Sequence, residues 1–359
     1  MGLLMASSLQ AAGFASEAFF PGAALEEITE LRIRHPALIE QEARRRKKRA
    51  RLTRDGKLVL VALDHPARGV TRIRHDGLAM GDRYQLLARA RCVLADPDLD
   101  GVLASGDVTD ELLLLNFLER RNTGRGFLDG RVLVGSVNRG GFEGAAFEME
   151  DSFTAMTAER LAELRCDGGK MLYRLDPSDP ASGRTILACS HALNSLRRRR
   201  LAAFLEPLDV RKEEGKGYHT QKDVATLVRQ CGIAAGLGES SSHVWLKLPY
   251  CENFGRVGQA TTLPILLLGG PARESLSETL RDFSDGLAAS PRVRGAIMGR
   301  NLLFPAEGGP LPMCRALTSL VHRGASLGEA VAIAQATGGI ESGKPRRART
   351  RAARAAELP

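Results

Sequence analysis

The sequence predicts a (β/α)8 barrel, and three observations carry that expectation. Short apolar runs occur eight times, a helix-sized segment separates each from the next, and the runs are continuous rather than alternating. Continuous runs belong to strands buried on both faces, as in parallel sheets. Eight such strands with right-handed helical crossovers close on themselves, and the span from Lys57 to about Gly338 somewhat exceeds the roughly 250 residues usual for that fold. The competing open, doubly wound sheet has fewer strands and a glycine fingerprint after the first, where this chain has Asp64-His65-Pro66.

In chain order, an amphipathic helical pattern comes first, from Leu25 to Arg51 with a break at Pro36; it precedes every strand and could cover the bottom of the barrel. KLVLVALDHP (Lys57 to Pro66) is the first strand, DGVLASG (Asp100 to Gly106) the second and RVLVGSVNRGG (Arg131 to Gly141) the third. GGKMLYRLD (Gly168 to Asp176), LAAFLEPLDV (Leu201 to Val210) and SHVWLKLPY (Ser242 to Tyr250) are the fourth to sixth. LPILLLGGP (Leu263 to Pro271) and RGAIMGRNLLF (Arg294 to Phe304) complete the eight. Helical patterns near residues 84–95, 107–121, 157–165, 183–199, 222–235 and 275–289 fall between them, and two more, 310–323 and 327–336, close the chain. Three segments result: a flexible arm over 1–24, one barrel domain over 25–340, and a disordered basic tail over 341–359.

At 359 residues and 43% hydrophobic, the chain can bury a large core. Its six cysteines form no CxxC pair and no metal-ligand spacing, so the expectation is reduced thiols, no metal, no cofactor and a cytoplasmic location. The first 20 residues lack the basic region and unbroken apolar core of a signal peptide, and no apolar run approaches the roughly 18 residues of a membrane span. The net charge of +9 is localised: Lys344 to Pro359 holds six basic residues and one acid, and RRRKKRAR (Arg44 to Arg51) closes a helical pattern. Basic runs without interleaved aromatics read as solvated surface, so no nucleic acid is expected as partner.

The chemistry is expected at the C-terminal ends of the strands. Lys247 stands inside the apolar run of the sixth. Burying an unpaired ammonium costs several kcal/mol and lowers its pKa instead, which leaves a nucleophilic amine at neutral pH. A lone lysine at a strand end can also simply snorkel to water. Asp64, Lys170 and Glu206 lie in or beside the first, fourth and fifth strands, and Lys170 with Glu206 could equally be a structural ion pair. Gly269-Gly270 after the seventh strand and Gly299-Arg300 after the eighth suit an anion, since glycines let backbone N–H groups approach and Arg300 adds a charged clamp.

DHP on the first strand, VWLKLPY on the sixth, GG on the seventh and GAIMGRN on the eighth resemble the class I, Schiff-base aldolases of the archaeal fructose-bisphosphate and bacterial tagatose-bisphosphate type. KMLYRLD and FLEPL are closer to the tagatose branch, and the tyrosine that the archaeal branch has on strand five is absent. LVALDHPARGV and ASGDVTDELLLLN are most similar to deoxyribose-phosphate-aldolase-like barrels associated with bacterial inositol catabolism. The resemblance implies Lys247 as Schiff-base nucleophile, Lys170 lowering its pKa, Glu206 as proton shuttle, and Asp64 as hydroxyl ligand or second acid/base. It implies Gly269, Gly270, Gly299 and Arg300 as the phosphate site, and a phosphorylated keto-sugar as partner of a homo-oligomeric lyase. Two alternatives stand beside it: another lysine-dependent enzyme, a transaldolase or dehydratase, and a non-catalytic sugar-phosphate-binding barrel using the arginine tail for interaction.

Overall fold

The computed structural model describes residues 14–336 except 152 and 214–216. Nine strands form: β1 (Leu58–Ala62), β2 (Gly101–Ala104), β3 (Val132–Ser136), β4 (Gly168–Leu175), β5 (Ala202–Glu213), β6 (Gly217–Gln221), β7 (Val244–Leu248), β8 (Ile265–Leu268) and β9 (Val293–Met298). Their order is β4-β3-β2-β1-β9-β8-β7-β5-β6, and β4 also pairs with β5, so all but β6 close into an eight-stranded parallel barrel. The fold class expected from the eight apolar runs is therefore the one observed.

Two hydrophobic layers follow from the period of two along each strand. Leu58, Leu60, Ala62, Leu103, Val132, Val134, Ala202, Phe204, Leu266 and Ile297 form an inner cluster, with Leu52 and Trp245 packed against it. The alternate residues, among them Val59, Val61, Val102, Leu133, Ala203, Leu205, Leu246, Ile265 and Leu267, join the helices in the outer cluster. Trp245 meets Phe204 at 6.2 Å between ring centroids, a packing contact of the inner cluster.

The eight-strand expectation missed β6. It pairs antiparallel with the far end of β5, from Asp209↔Gln221 to Glu213↔Gly217, and forms a hairpin above the barrel rim. GYHTQ has no apolar run and is largely exposed, so only its partner strand makes it a strand. The last apolar run also ends sooner than expected: Val293–Met298 is strand, and Arg300–Leu303 is a helical turn. A short helix, Phe254–Gln259, occupies the glycine-containing stretch before β8.

Of the segment expected to be a flexible arm, residues 1–13 lie outside the described residues. From residue 14 onward it is packed: Ser16–Phe19 is helical and Phe20 is fully buried. Helices Ala23–Arg34 and Leu38–Arg45 flank the break at Pro36. The basic tail expected over 341–359 also lies outside the described residues.

The basic run at Arg44–Arg51 is solvated surface only in part: Arg44, Arg45, Lys47, Lys48 and Arg51 are exposed, while Arg46 and Arg49 turn inward. Arg46 is 1% exposed and donates to the carbonyls of Arg131 (2.8 Å) and Arg165 (2.6 Å). Lys48 donates to the carbonyl of Cys166 at 2.9 Å and Arg49 to Asp100 at 2.9 Å. These acceptors stand at the N-terminal ends of β2, β3 and β4, so the run is strapped beneath the barrel, and Leu52 continues from it into the inner cluster. A sequence window shows the charges but not the carbonyls that satisfy them.

Candidate active site

The inner layers climb the barrel by twos, and the next step up is polar. Ala62 leads to Asp64, Val134 to Ser136, Phe204 to Glu206, Trp245 to Lys247 and Ile297 to Gly299, while Lys170 stands two residues beyond Gly168 in β4. The same alternation that fills the barrel with Leu, Val and Phe therefore delivers these side chains to one place at its C-terminal mouth. Asp64, Lys170, Glu206, Lys247 and Gly299 border a cavity of about 470 Å³, a volume suited to a small metabolite.

Four ionisable groups form a chain across it. Lys247 Nζ donates to Glu206 Oε2 at 2.9 Å. Lys170 Nζ lies 3.0 Å from the same oxygen and 3.0 Å from Asp64 Oδ2. Ser136 Oγ donates to Asp64 Oδ2 at 3.4 Å. Lys170, Lys247, Glu206 and Asp64 are 2%, 6%, 6% and 8% exposed, so none is screened by bulk water.

Burial acts alike on the two lysines, and their partners separate them. Desolvation lowers the Lys247 pKa; the Glu206 carboxylate opposes this, the Lys170 cation reinforces it, and the net shift is downward. Desolvation lowers Lys170 too, but two carboxylates at contact distance more than offset it and hold its pKa above the ordinary value. Burial would raise Glu206, yet the two lysines bring it down to about 2. Asp64 is likewise held well below the usual carboxylate range, with Lys170 the largest opposing influence to its desolvation. The geometry thus pairs one amine that gives up its proton easily with a neighbouring ammonium that keeps it.

The glycine loops face the same cavity. Gly269, Gly270, Gly299 and Arg300 all line it. Gly270 has φ +66°, the left-handed conformation in which a side chain is strained, and a Cβ on Gly299 would stand 2.3 Å from His65 Cε1. Asn301 ties the two loops together: its Nδ2 donates to the carbonyls of Gly269 and Pro271, both at 2.8 Å, and its Oδ1 accepts from Arg273 N at 2.8 Å.

All eight residues singled out in the sequence therefore border one cavity. Two other strand-end groups do not: Asp107 caps toward Ser105 and Arg83, and Asn138 exchanges hydrogen bonds with the backbone of Leu172. Tyr173 is buried in the outer core, its hydroxyl 3.4 Å from Gln230 Oε1. The sequence reading missed Arg68, Arg174, Tyr218, His219 and Lys222, which also line the cavity. Arg174 was legible, since it lies four residues past Lys170 on the same face of β4. Tyr218, His219 and Lys222 were not, because they arrive with the unforeseen hairpin.

Among the described residues no helix is long and apolar enough to cross a membrane. Comparison with known proteins finds an archaeal fructose 1,6-bisphosphate aldolase, 18% identical, with a TM-score of 0.54 over 79% of this chain and 98% of that one, a likeness of fold alone. An uncharacterized aldolase of Saccharolobus solfataricus is 31% identical over 133 residues, 36% of this chain; the match spans only 45% of that relative's length. The crystal structure of Cgl0159 from Corynebacterium glutamicum is 35% identical with a TM-score of 0.77, covering 85% of this chain and 98% of that one. The Cgl0159-like profile matches residues 56–313, from just before β1 to beyond the last strand, and the chain belongs to the Cgl0159-like family.

Proposed function

We propose that this protein is a class I aldolase, a lyase that makes or breaks a C–C bond in a phosphorylated keto-sugar through a Schiff base on Lys247. The observation that carries the reading is the Lys247 amine, buried at the barrel mouth with its pKa lowered and Glu206 2.9 Å away. The relative from Saccharolobus solfataricus is named an aldolase, and one solved structure with the same fold, 20% identical, is described as a Schiff-base-forming fructose-1,6-bisphosphate aldolase.

The contacts support the following steps. Neutral Lys247 attacks the substrate carbonyl, and the proton its nitrogen sheds passes to Glu206, the one carboxylate in contact with it among the described residues. Glu206 returns that proton to the oxyanion to give the carbinolamine, and after taking up a second proton from water it protonates the carbinolamine hydroxyl, which leaves as water. Glu206, again ionised, takes the proton of the substrate's β-hydroxyl as the C–C bond breaks; that fragment leaves as an aldehyde, and the electron pair of the bond passes to the iminium to give an enamine. Lys170 stays protonated between Asp64 and Glu206 and keeps both carboxylates in place. Asp64 touches Lys170 rather than Lys247, which suits binding a substrate hydroxyl. Gly269, Gly270, Gly299 and Arg300 take the phosphate.

Candidate substrates are ketose phosphates, including a deoxy-ketogluconate phosphate of inositol breakdown. The test is incubation with such candidates, reduction with borohydride and mapping of the adduct by mass spectrometry. A stable mass increment on Lys247 is expected; an increment on Lys170 instead, or none with any candidate, removes the mechanism.

A further inference from the structure

Seven lysine and arginine side chains line the cavity; Lys222 is exposed at its rim, and four of the others are matched. Lys247 and Lys170 contact Glu206 and Asp64, Arg174 pairs with Glu148 at 3.0 Å, and Arg273 pairs with Asp282. Arg68 and Arg300 are different. Among the described residues neither has an ion-pair partner, and the Nε of each is buried without a hydrogen-bond acceptor. Other buried arginine nitrogens also lack acceptors, at Arg46, Arg49 and Arg89, but those guanidinium groups donate elsewhere, to carbonyls or to Asp100. Arg68 and Arg300 have no side-chain hydrogen bond at all among the described residues.

The two come from opposite sides of one seam. β1 and β9 are paired neighbours, and Arg68 ends the 3₁₀ turn Pro66–Arg68 after β1 while Arg300 comes directly after β9. Burial and then the nearby Arg68 lower the pKa of Arg300. Glu143 lines the same cavity but stands in no ion pair with either. Two half-buried guanidinium groups without a contacting acceptor, with Glu143, Glu206 and Asp64 acting on Arg300 only from beyond ion-pair distance, are unfavourable unless a ligand supplies one.

We propose that Arg68 is a second clamp on the substrate's phosphate, closing with Arg300 on one dianionic phosphate monoester. The inference rests on the proposed aldolase reading for its substrate and on the geometry for its residues. Two guanidinium forks offer four outward N–H donors in planar pairs, which match the oxygens of a phosphate dianion better than the single negative charge of a carboxylate. Arg68 thereby sets specificity for a phosphorylated ketone over the free one, without touching the carbonyl that Lys247 attacks.

Two measurements test it. In the first, inorganic phosphate is titrated into the full-length protein and into Arg68→Met and Arg300→Met by calorimetry. Loss of a charged hydrogen-bonding group predicts binding weakened about 10-fold or more in each variant, with partial recovery in Arg68→Lys, which keeps the charge but not the fork. Phosphate binding unchanged in Arg68→Met overturns the proposal, whatever the protein catalyses. In the second, dihydroxyacetone and dihydroxyacetone phosphate compete for borohydride trapping. The expected result is that Arg68→Met loses the preference for the phosphate ester while free dihydroxyacetone labels Lys247 as before; a preference equal to that of the unaltered protein overturns the clamp. Failure of both ketones to label Lys247 would instead strike the aldolase reading, and the phosphate titration would still decide the role of Arg68. The side chain is separable from its backbone, whose carbonyl accepts from Glu143 N at 3.0 Å and is kept in every variant.

Discussion

The two ends of the barrel bury charge in opposite ways. Beneath the strands, Arg46, Lys48 and Arg49 spend their donors on carbonyls of neighbouring chain ends and on Asp100, and His322 stands 2.8 Å from Asp55 and 3.0 Å from Asp100. Asp100 in turn accepts from Val59 N at 2.9 Å, so the acid locks the entry of β1 to that of β2. Above the strands, Lys247 and Lys170 share a carboxylate, and Arg68 and Arg300 have no partner among the described residues. Fixed partners from the backbone make the lower end a clasp, whose worth is stability. Shared or missing partners leave the upper end with an amine and two guanidinium groups free to meet a ligand.

Substitutions should therefore divide by end. The largest effect is expected from Lys247→Met, which should abolish borohydride trapping and turnover while leaving the unfolding curve in place; residual adduct on another lysine would break the contrast at its centre. Glu206→Gln should come next, with kcat reduced by roughly 10²–10⁴ for loss of the proton shuttle. Steady-state kinetics with a substrate identified by trapping would check it, and a change confined to KM would assign Glu206 to binding instead.

The lower end should answer in stability. Arg46→Met strands two buried carbonyls and is expected to cost about 3 kcal/mol in urea unfolding, with kcat per folded molecule unchanged. Loss of catalysis at full stability would show that the clasp reaches the site.

pH separates the ends more finely. The neutral form of Lys247 is the reactive one, so a lowered pKa extends activity to lower pH, and the trapping rate should fall as pH drops through that pKa. Lys170→Met removes a repelling cation and frees carboxylate charge, which both raise the Lys247 pKa, so the acid limb should move to higher pH. A limb that stays put or moves down would divorce Lys170 from the tuning. The smallest effect concerns His322, whose pKa is raised because Asp100 and Asp55 outweigh its desolvation. A folded-state pKa above the unfolded one gives stability that is complete below the unfolded value and lost as pH rises through the folded value. His322→Gln should flatten that decline in denaturation curves taken between about pH 6 and 9, and a decline of equal slope in the variant would place its origin elsewhere.

The upper end is largely legible in the sequence alone. The apolar runs betray their strands because burial on both faces demands them, and Asp64, Lys170, Glu206 and Lys247 stand out as the charges interrupting those runs. Extending the period of two from Phe204 to Glu206 and from Trp245 to Lys247 even predicts that they share the interior. What failed was anything whose meaning depends on a partner far along the chain. The run at Arg44–Arg51 looks like surface until the carbonyls of Arg131, Arg165 and Cys166 come beneath it, and Gly217–Gln221 has no strand pattern until β5 offers its edge. Arg68 ends a three-residue turn and carries no signal of its own.

The sequence by itself determined the architecture and the identity of the reactive candidates, because side-chain alternation and apolar burial are local properties that one strand expresses alone. Tertiary structure decided which lysine has its pKa lowered, which acid sits beside it and which arginines have no partner among the described residues. Those outcomes are set by distances of about 3 Å between residues 40 to more than 100 positions apart, as from Glu206 to Lys247 and from Asp64 to Lys170. Electrostatic interaction in a water-excluded pocket depends on such separations and on nothing that a linear spacing records.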